Sequence, residues 1–299
     1  MSAKETQIPP SREYPLEEKD ESQPWDNIIT PQRHLFDLPF NDLIHYRDLL
    51  WLFVRRDFVA FYKQTILGPL WFVIQPILTT LMMTLVFGNI AGLSTDGLPK
   101  ILFYLTGVTL WTYFADCLTK TATTFVDNVQ LFGKVYYPRL ITPISIIISN
   151  LLKFGIQLAI FLVTWGFYWS KGDVSPQATA LLLPILIVCI AMISLGFGLI
   201  FSAMTTKYRD LRFLLQFGVQ LLMYATPVIY PTSSIPEKYR LLIEINPISP
   251  LIETLRHGFL GAGTFEWYSL LYSLSFSVVA LFIGILVFNK IESNFLDTV

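Results

Sequence analysis

Residues 178–204 read ATALLLPILIVCIAMISLGFGLIFSAM and contain no charged side chain. A helix needs about 20 consecutive apolar residues to cross the hydrocarbon core of a bilayer. This run exceeds that length, so it predicts a membrane-spanning helix. It therefore places the chain among integral membrane proteins.

Five further apolar runs flank this segment, with polar connections between them. The composition agrees with a membrane protein, being 53% hydrophobic and 14% charged, with a mean hydropathy of +0.53. Soluble domains carry about 25% charged residues. The sequence therefore predicts an all-α integral membrane protein with six transmembrane helices, at 68–92, 101–118, 143–168, 178–204, 213–230 and 268–290.

Two segments precede the first span. Residues 1–35 are polar, lack an apolar signal-peptide core, and predict a flexible cytoplasmic tail. Residues 36–67 contain a predicted amphipathic helix at 41–63, and the span-containing domain occupies 68–299. A basic amphipathic helix beside a span is expected to lie in the membrane interface, although a half-buried helix of a small soluble domain is the alternative. Its predicted apolar face comprises Leu43, Tyr46, Leu50, Val54, Phe58 and Phe61.

Positive charge predicts the orientation of the chain. Fifteen of the 21 Lys and Arg residues fall on the side of the termini, five fall on the other side, and Lys153 lies within a span. Such a bias marks the cytoplasmic side. We therefore expect both termini, with connections 119–142 and 205–212, on the cytoplasmic side of the inner membrane. The net charge of −1 gives no reason to expect a nucleic-acid partner.

Segment 231–267 is too apolar for a solvated loop and too broken for a span. Ser234 and Glu237 fit a capping box that opens a short helix, which Asn246 and Pro247 would end. We expect a re-entrant helical hairpin on the outer side, between spans five and six, with a lid lying flat on the interface as the alternative. The second helix of this hairpin is predicted to be delimited by Ser249 as N-cap, Pro250 at its first position and Gly258 after its end.

The residues expected of an enzyme or of a self-powered pump are missing. The Gly133-Lys134 pair is followed by valine, and Asn128 stands where a phosphate-binding loop would begin with glycine. The three histidines and two cysteines show no metal-ligand spacing, so no metal or cofactor site is predicted in this chain. ATP and Mg²⁺ would be bound by a partner.

Lys153 is the clear intramembrane charge. A lysine at a helix centre costs about 2.5–3.5 kcal/mol on insertion scales. One interpretation is a group that faces a cavity and meets an anionic or polar substrate. The other is that Lys153 snorkels to the interface, or pairs with a polar neighbour such as Asn150 or Asp116.

Two polar segments on the predicted cytoplasmic side carry aromatic side chains. Residues 124–139 read TFVDNVQLFGKVYYPR, and residues 208–212 read YRDLR. Both are candidate docking surfaces, and solvated loops with interfacial aromatics are the alternative.

Five blocks occur in an order that resembles the membrane subunit of type-2 ABC exporters of polysaccharide, including O-antigen, capsule and teichoic acid. They cover most of residues 45–290. The blocks are LGPLWFVIQP at 67–76 with VFG at 86–88, YLTGVTLWTYF at 104–114, NVQLFGKVYYPRLITP at 128–143, YRDLRFLLQFGVQLLMYATPVIYP at 208–231 and NPISPLIETLR at 246–256.

This resemblance implies a homodimer of non-catalytic permease subunits, docked on two copies of a separate ATP-binding subunit and moving a lipid-linked glycan among membrane lipids. The groups that it implies for coupling to the ATPase are Asn128, Gln130, Phe132, Gly133, Lys134, Tyr136, Tyr137, Arg139, Arg209 and Asp210. Those expected to line the path are Trp71, Phe72, Tyr104, Trp111, Tyr113, Phe114, Lys153, Phe217 and Tyr224. Those expected at an outer gate are Pro236, Asn246, Pro247, Pro250 and Arg256.

Three other functions compete with this interpretation. A type-2 ABC exporter of a lipid, a drug or haem shares the same architecture. An integral membrane glycosyl- or acyltransferase would need a cluster of carboxylates or histidines near a membrane face, which the sequence lacks. A secondary carrier would be expected to place acidic residues in its spans.

Overall fold

The computed structural model describes residues 44–63, 66–132 and 137–295, and within these ranges the regular structure is helical. The 1–35 tail, Leu43 and the coupling candidates Gly133, Lys134 and Tyr136 lie outside the described residues. The eleven α-helices of the described ranges are α1 (Arg47–Lys63), α2 (Trp71–Met83), α3 (Lys100–Ala122), α4 (Thr124–Asp127), α5 (Val129–Phe132), α6 (Ile141–Ser170), α7 (Leu183–Lys207), α8 (Leu211–Tyr224), α9 (Glu237–Glu244), α10 (Ser249–Leu260) and α11 (Trp267–Phe295). Tighter or wider helical turns cover Gly68–Leu70, Thr84–Ile90, Ala178–Leu182 and Thr232–Ser234.

Five helical segments are long and apolar enough to cross a membrane: Gly68–Ile90, Lys100–Ala122, Ile141–Ser170, Ala178–Lys207 and Trp267–Lys290. They match five of the predicted spans to within a few residues. The predicted span at 213–230 corresponds to α8, which has 14 residues and is about 21 Å long at about 1.5 Å per residue. The chain turns after Tyr224, so α8 is shorter than the hydrocarbon core is thick.

Helix α3 lies at the centre of the bundle and packs against α2, α6, α7, α8 and α10. Two close approaches of backbone hold α11 and α3 against α7. A Cβ on Gly196 would collide with the backbone of Ala280, and one on Gly284 with the backbone of Gly196. A Cβ on Gly198 would lie 2.5 Å from Thr121 Cβ. Small residues permit this packing, which drives helix association in lipid.

The amphipathic helix α1 packs against α6 and, through Phe53, against Tyr137, which precedes α6. Among the α1 side chains that the structure describes, Phe53 and Val54 are buried, and of these two Val54 belongs to the predicted apolar face. Trp51 and Leu52 point outward and are 63% and 58% exposed. A helix with one face on the bundle and apolar groups on the other is typical of a membrane interface.

The connections gather at two opposite ends of the bundle. We call the end with α4, α5 and the turn before α8 the proximal end, and the end with α9 and α10 the distal end. At the proximal end, Thr205 Oγ1 donates to the carbonyl of Ala122 at 2.6 Å, which joins the last turns of α7 and α3. At the distal end, Trp165 Nε1 of α6 donates to the carbonyl of Phe259 of α10 at 2.7 Å.

The hairpin predicted in 231–267 exists as α9 and α10, but its boundaries differ from those predicted. Pro236 occupies the N-cap of α9 and no side chain caps that helix, so the Ser234–Glu237 capping box does not form. Ser249 is already helical and Ile248 is the N-cap of α10. Gly258 does not end α10.

Helix α10 continues to Leu260, and Gly261 ends it in the left-handed conformation, with φ of +75°. Gly258 serves a different purpose, because a Cβ there would lie 2.6 Å from the backbone nitrogen of Ala180. The prediction that Gly258 ends the helix was therefore wrong, because this glycine allows close packing and Gly261 terminates the helix.

Candidate functional site

At the proximal end, the described residues of the 124–139 segment are anchored by aromatic rings. The Phe125 ring stacks on that of Phe288 in α11, with centroids 4.7 Å apart. The Phe132 ring lies 5.7 Å from the rings of both Phe125 and Tyr137. Neither Phe125 nor Phe288 was among the predicted site residues, because the two rings that stack are 163 residues apart along the chain.

Tyr137 and Arg139 lie against the bundle rather than in solvent. The Tyr137 ring packs edge-on against Phe53 at 5.4 Å, and its hydroxyl is 3.1 Å from Thr142 Oγ1. Burial raises the pKa of the Tyr137 hydroxyl, although the hydrogen bond with Thr142 opposes that shift. Arg139 is 8% exposed, with its guanidinium 5.6 Å from the Phe132 ring centroid. Tyr137 and Arg139 therefore hold the C-terminal end of the 124–139 segment against the helical bundle.

Other groups of the proximal end are presented outward. Gln130, Arg209 and Asp210 are exposed, and Asn128 is partly exposed. The Arg212 guanidinium, in the first turn of α8, lies 3.5 Å from the Asp127 carboxylate at the end of α4. The two candidate docking segments therefore form one surface in the described part of the chain.

At the distal end, Arg256 is the central group. Its side chain is 1% exposed and lies with its guanidinium 3.8 Å from the Phe103 ring centroid of α3. It donates to the carbonyls of Pro227 and Val228 and to Glu253, at 2.5, 2.8 and 3.2 Å. Arg256 thus joins α10, α3 and the segment that leaves α8.

The other predicted gate residues shape the chain around Arg256. Asn246 donates to Thr226 Oγ1 at 2.8 Å and accepts from the backbone of Ile248 at 3.0 Å. The Pro247 carbonyl accepts a bond from Ser273 of α11 at 2.8 Å. Pro236 precedes α9, and Pro250 lies in the first turn of α10. Their role in a gate stays a prediction.

Lys153 pairs with Asp116, whose Oδ2 lies 2.5 Å from the lysine nitrogen between α6 and α3. One turn away, Lys120 donates to Asn150 at 2.8 Å. Pairing with Asp116 was the alternative interpretation of Lys153, and it accounts for this charge within a span.

The aromatic residues predicted to line a path divide into two groups. Trp111, Tyr113 and Phe114 are buried inside the helical bundle, together with Tyr104 and Phe72. Trp71, Phe217 and Tyr224 are 43%, 58% and 51% exposed. The rings of the first group contact other helices of the same chain, so only the second group offers a free face.

Helix α8 has the most unusual surface of the bundle. Leu215 and Val219 are its only buried residues. The exposed face carries Phe217 and Tyr224, and beside them Phe213, Gln216 and Gln220, which were not among the predicted site residues. Phe213, Phe217, Gln220 and Tyr224 share one face at helical spacing. A hydrophobic run interrupted by two glutamines was the signal that could have found it.

A helical bundle with five segments long and apolar enough to cross a membrane, and with a short helical hairpin at one end, is the architecture of a multi-pass membrane protein. The chain belongs to the ABC-2 type transporter family, whose membrane domain matches residues 48–260.

Several characterised relatives cover nearly the whole domain. An O-antigen export system permease protein from Klebsiella pneumoniae is 27% identical over 84% of this chain and 94% of its own length. A protein of the same description from Myxococcus xanthus is 26% identical over 86% and 98%. A polysialic acid transport protein from Escherichia coli is 26% identical over 83% and 94%.

Proposed function

We propose that this chain is the permease subunit of an exporter that moves a lipid-linked polysaccharide out across the cytoplasmic membrane. The relatives named for O-antigen and polysialic acid export support the substrate class. The observation that carries the proposal is the exposed aromatic and amide face of α8.

That face is poorly suited to lipid. Gln216 and Gln220 are both exposed, and each amide in hydrocarbon would lack partners for its donors and acceptor. Between and beside them stand Phe213, Phe217 and Tyr224. Sugar rings have apolar C–H faces that stack on aromatic planes and hydroxyl groups that bond amides. A row of such weak sites suits a moving chain, because conduction needs binding that is readily released.

A second copy of the chain is the natural partner for this surface. Two protomers that oppose their α8 faces would enclose a conduit without placing glutamine against lipid. A closed two-fold pair is the commonest form of oligomer. We therefore propose a homodimer whose path runs between the two α8 helices, with Phe217 and Tyr224 lining it.

The proximal surface is proposed to bind the ATP-binding subunit, one copy for each protomer. Gln130, Arg209 and Asp210 supply exposed polar contacts. The rings of Phe125 and Phe132 contact each other, and Phe125 stacks on Phe288, so α4 and α5 are joined to α11. ATP and Mg²⁺ would be held by that partner, because this sequence offers no phosphate-binding loop.

The orientation follows from charge. The connections of the proximal end belong to the Lys- and Arg-rich side of the sequence, which faces the cytoplasm in most membrane proteins. Both termini would then be cytoplasmic, and α9 and α10 would lie at the outer mouth.

The test is complementation of a strain that lacks this gene, scored by the amount of polysaccharide at the cell surface and by co-purification of the ATP-binding subunit. Phe217→Ala should reduce export about fivefold, equivalent to roughly 1 kcal/mol for one lost aromatic contact. Phe167→Ala is the matched control, since Phe167 is 55% exposed on α6 and lies outside the proposed path.

Assembly with the ATP-binding subunit should be normal in both variants. Equal export by the two variants would remove α8 from the path. Normal surface polysaccharide in the strain without this gene would refute the polysaccharide function itself.

A further inference from the structure

A cavity of about 540 Å³ lies at the distal end, between α9, the first turn of α10 and the start of α11. Its volume falls within the range of small-molecule sites, about 300–1,000 Å³. Two hydrogen bonds join α11 to the chain between α9 and α10: Tyr272 Oη, which lines the cavity, donates to the carbonyl of Ile245 at 2.7 Å, and Ser273 Oγ donates to that of Pro247 at 2.8 Å. The cavity is therefore part of the packed hairpin.

The lining is rich in hydrogen-bond acceptors and carries net negative charge. Four carboxylates line it, from Glu237, Glu244, Glu253 and Glu266, against one guanidinium from Arg240. Arg240 pairs with Glu244 at 2.9 Å, and Arg256 behind the wall pairs with Glu253 at 3.2 Å. The start of α10 adds only about half a positive charge. An anion would therefore be repelled.

The carboxylates are not arranged as a metal site. Within the described ranges, no three His, Cys, Asp or Glu residues lie close enough to share a metal ion. Spread around the walls instead, with Ser and Thr hydroxyls and the Tyr268 ring between them, they suit a ligand that donates several hydrogen bonds at separate points.

Ser249 points independently to a ligand. It lines the cavity, yet its side chain is 3% exposed and its Oγ has no hydrogen-bond partner in the described part of the chain. A buried hydroxyl without a partner costs about 1–3 kcal/mol. A hydroxyl-bearing ligand in the cavity would satisfy it.

We propose that this cavity binds uncharged saccharide units of the exported glycan and disfavours acidic ones. The proposal rests on the proposed function. It narrows the substrate to a glycan whose saccharide units at this cavity carry no charge. Carboxylates accept bonds from sugar hydroxyls, Ser249 supplies a further polar contact, and Tyr268 offers a ring for stacking.

The experiment measures saccharide binding to the purified full-length chain by saturation-transfer NMR. The probes are uncharged tetrasaccharides of mannose, glucose and N-acetylglucosamine, and a sialic acid trimer as the acidic probe. At least one uncharged probe should bind saturably, and the acidic probe should not. Failure of all three uncharged probes, or equal binding of the acidic one, overturns the proposal.

Ser249→Ala separates a ligand contact from a structural one. It removes an unsatisfied hydroxyl, so the thermal stability of the chain should stay the same or rise. Binding of the uncharged probe should weaken about fivefold, the loss expected for one hydrogen bond. Unchanged binding would contradict the assignment.

Charge is tested by the double variant Glu237→Gln, Glu266→Gln, which keeps the size of both exposed side chains. It should gain binding of the sialic acid trimer. Asp173→Asn, an exposed carboxylate on another loop, is the control and should gain none. If the double variant behaves like the control, the charge filter is wrong.

The two proposals fail separately. A chain that exports polysaccharide and co-purifies with the ATP-binding subunit, but binds no uncharged probe, refutes only the cavity. A chain that binds the probe but neither exports polysaccharide nor assembles refutes the exporter and leaves a saccharide site.

Discussion

Helices α3 and α8 are both apolar and rich in aromatic rings, yet the fold uses them in opposite ways. Sixteen of the 23 residues of α3 are buried, whereas α8 buries two of its 14. Aromatic side chains on α3 are packed inside the bundle, whereas those on α8 are largely exposed: Phe213 by 75%, Phe217 by 58% and Tyr224 by 51%. Composition alone therefore does not distinguish a helix that is buried in the bundle from one that exposes most of its surface. The difference lies in how many neighbours surround each helix.

The largest expected effect is at the clamp that joins these two helices. Arg256→Ala should leave Glu253 buried without its cation and free the carbonyls of Pro227 and Val228. Breaking a buried ion pair costs about 3–5 kcal/mol. We expect a large loss of thermal stability in detergent. The control is Arg240→Ala, which removes an exposed ion pair and should change the stability by about 0–1 kcal/mol. Equal stability losses in the two variants would mean that the contacts of Arg256 do not hold these helices together.

The next effect concerns the core of α3. Trp111 is 6% exposed and its ring lies 5.2 Å from that of Phe114. Trp111→Ala should cost about 3 kcal/mol, the low end for a large aromatic, because the unfolded helix stays in lipid. Thermal unfolding measures this cost. Slower export with unchanged stability would instead place Trp111 on the path, as the sequence analysis predicted.

A smaller effect is expected where α3 meets α6. Lys153→Met leaves Asp116 without its partner within a span, at a cost of about 2.5 kcal/mol. The double variant Asp116→Asn, Lys153→Met should recover much of that stability, because no unpaired charge remains. Thermal unfolding of the cycle gives the coupling energy. If the stability losses of the two single variants simply add in the double variant, the pair contributes no coupling energy. Lys171→Met, on an exposed turn, serves as the control.

The smallest effect should come from α8. Gln220→Leu should leave stability nearly unchanged, because Gln220 is exposed in the protomer. Export should fall by a factor that corresponds to about 1 kcal/mol, the value of one hydrogen bond. If the face of Gln220 contacted lipid, leucine would stabilise the chain and export would continue at the normal rate. That result would remove the contrast between α3 and α8.

The sequence was a good guide wherever the bilayer imposes the pattern. Length and hydropathy predicted the five long spans, since every backbone amide in lipid must be satisfied within a helix. Glycine and proline also marked the hairpin of α9 and α10. The boundaries predicted from them were wrong. Gly258, for example, is required by the close approach of the Ala180 backbone and not by the end of a helix.

The sequence by itself determined that this is an all-α membrane protein with an amphipathic helix before its spans, and that it resembles an exporter subunit. The tertiary structure decided which groups meet. It paired Lys153 with Asp116, stacked Phe125 on Phe288, buried Arg256 and left the face of α8 open. The physical reason is that the membrane acts on each segment in turn, whereas packing depends on residues far apart in the chain.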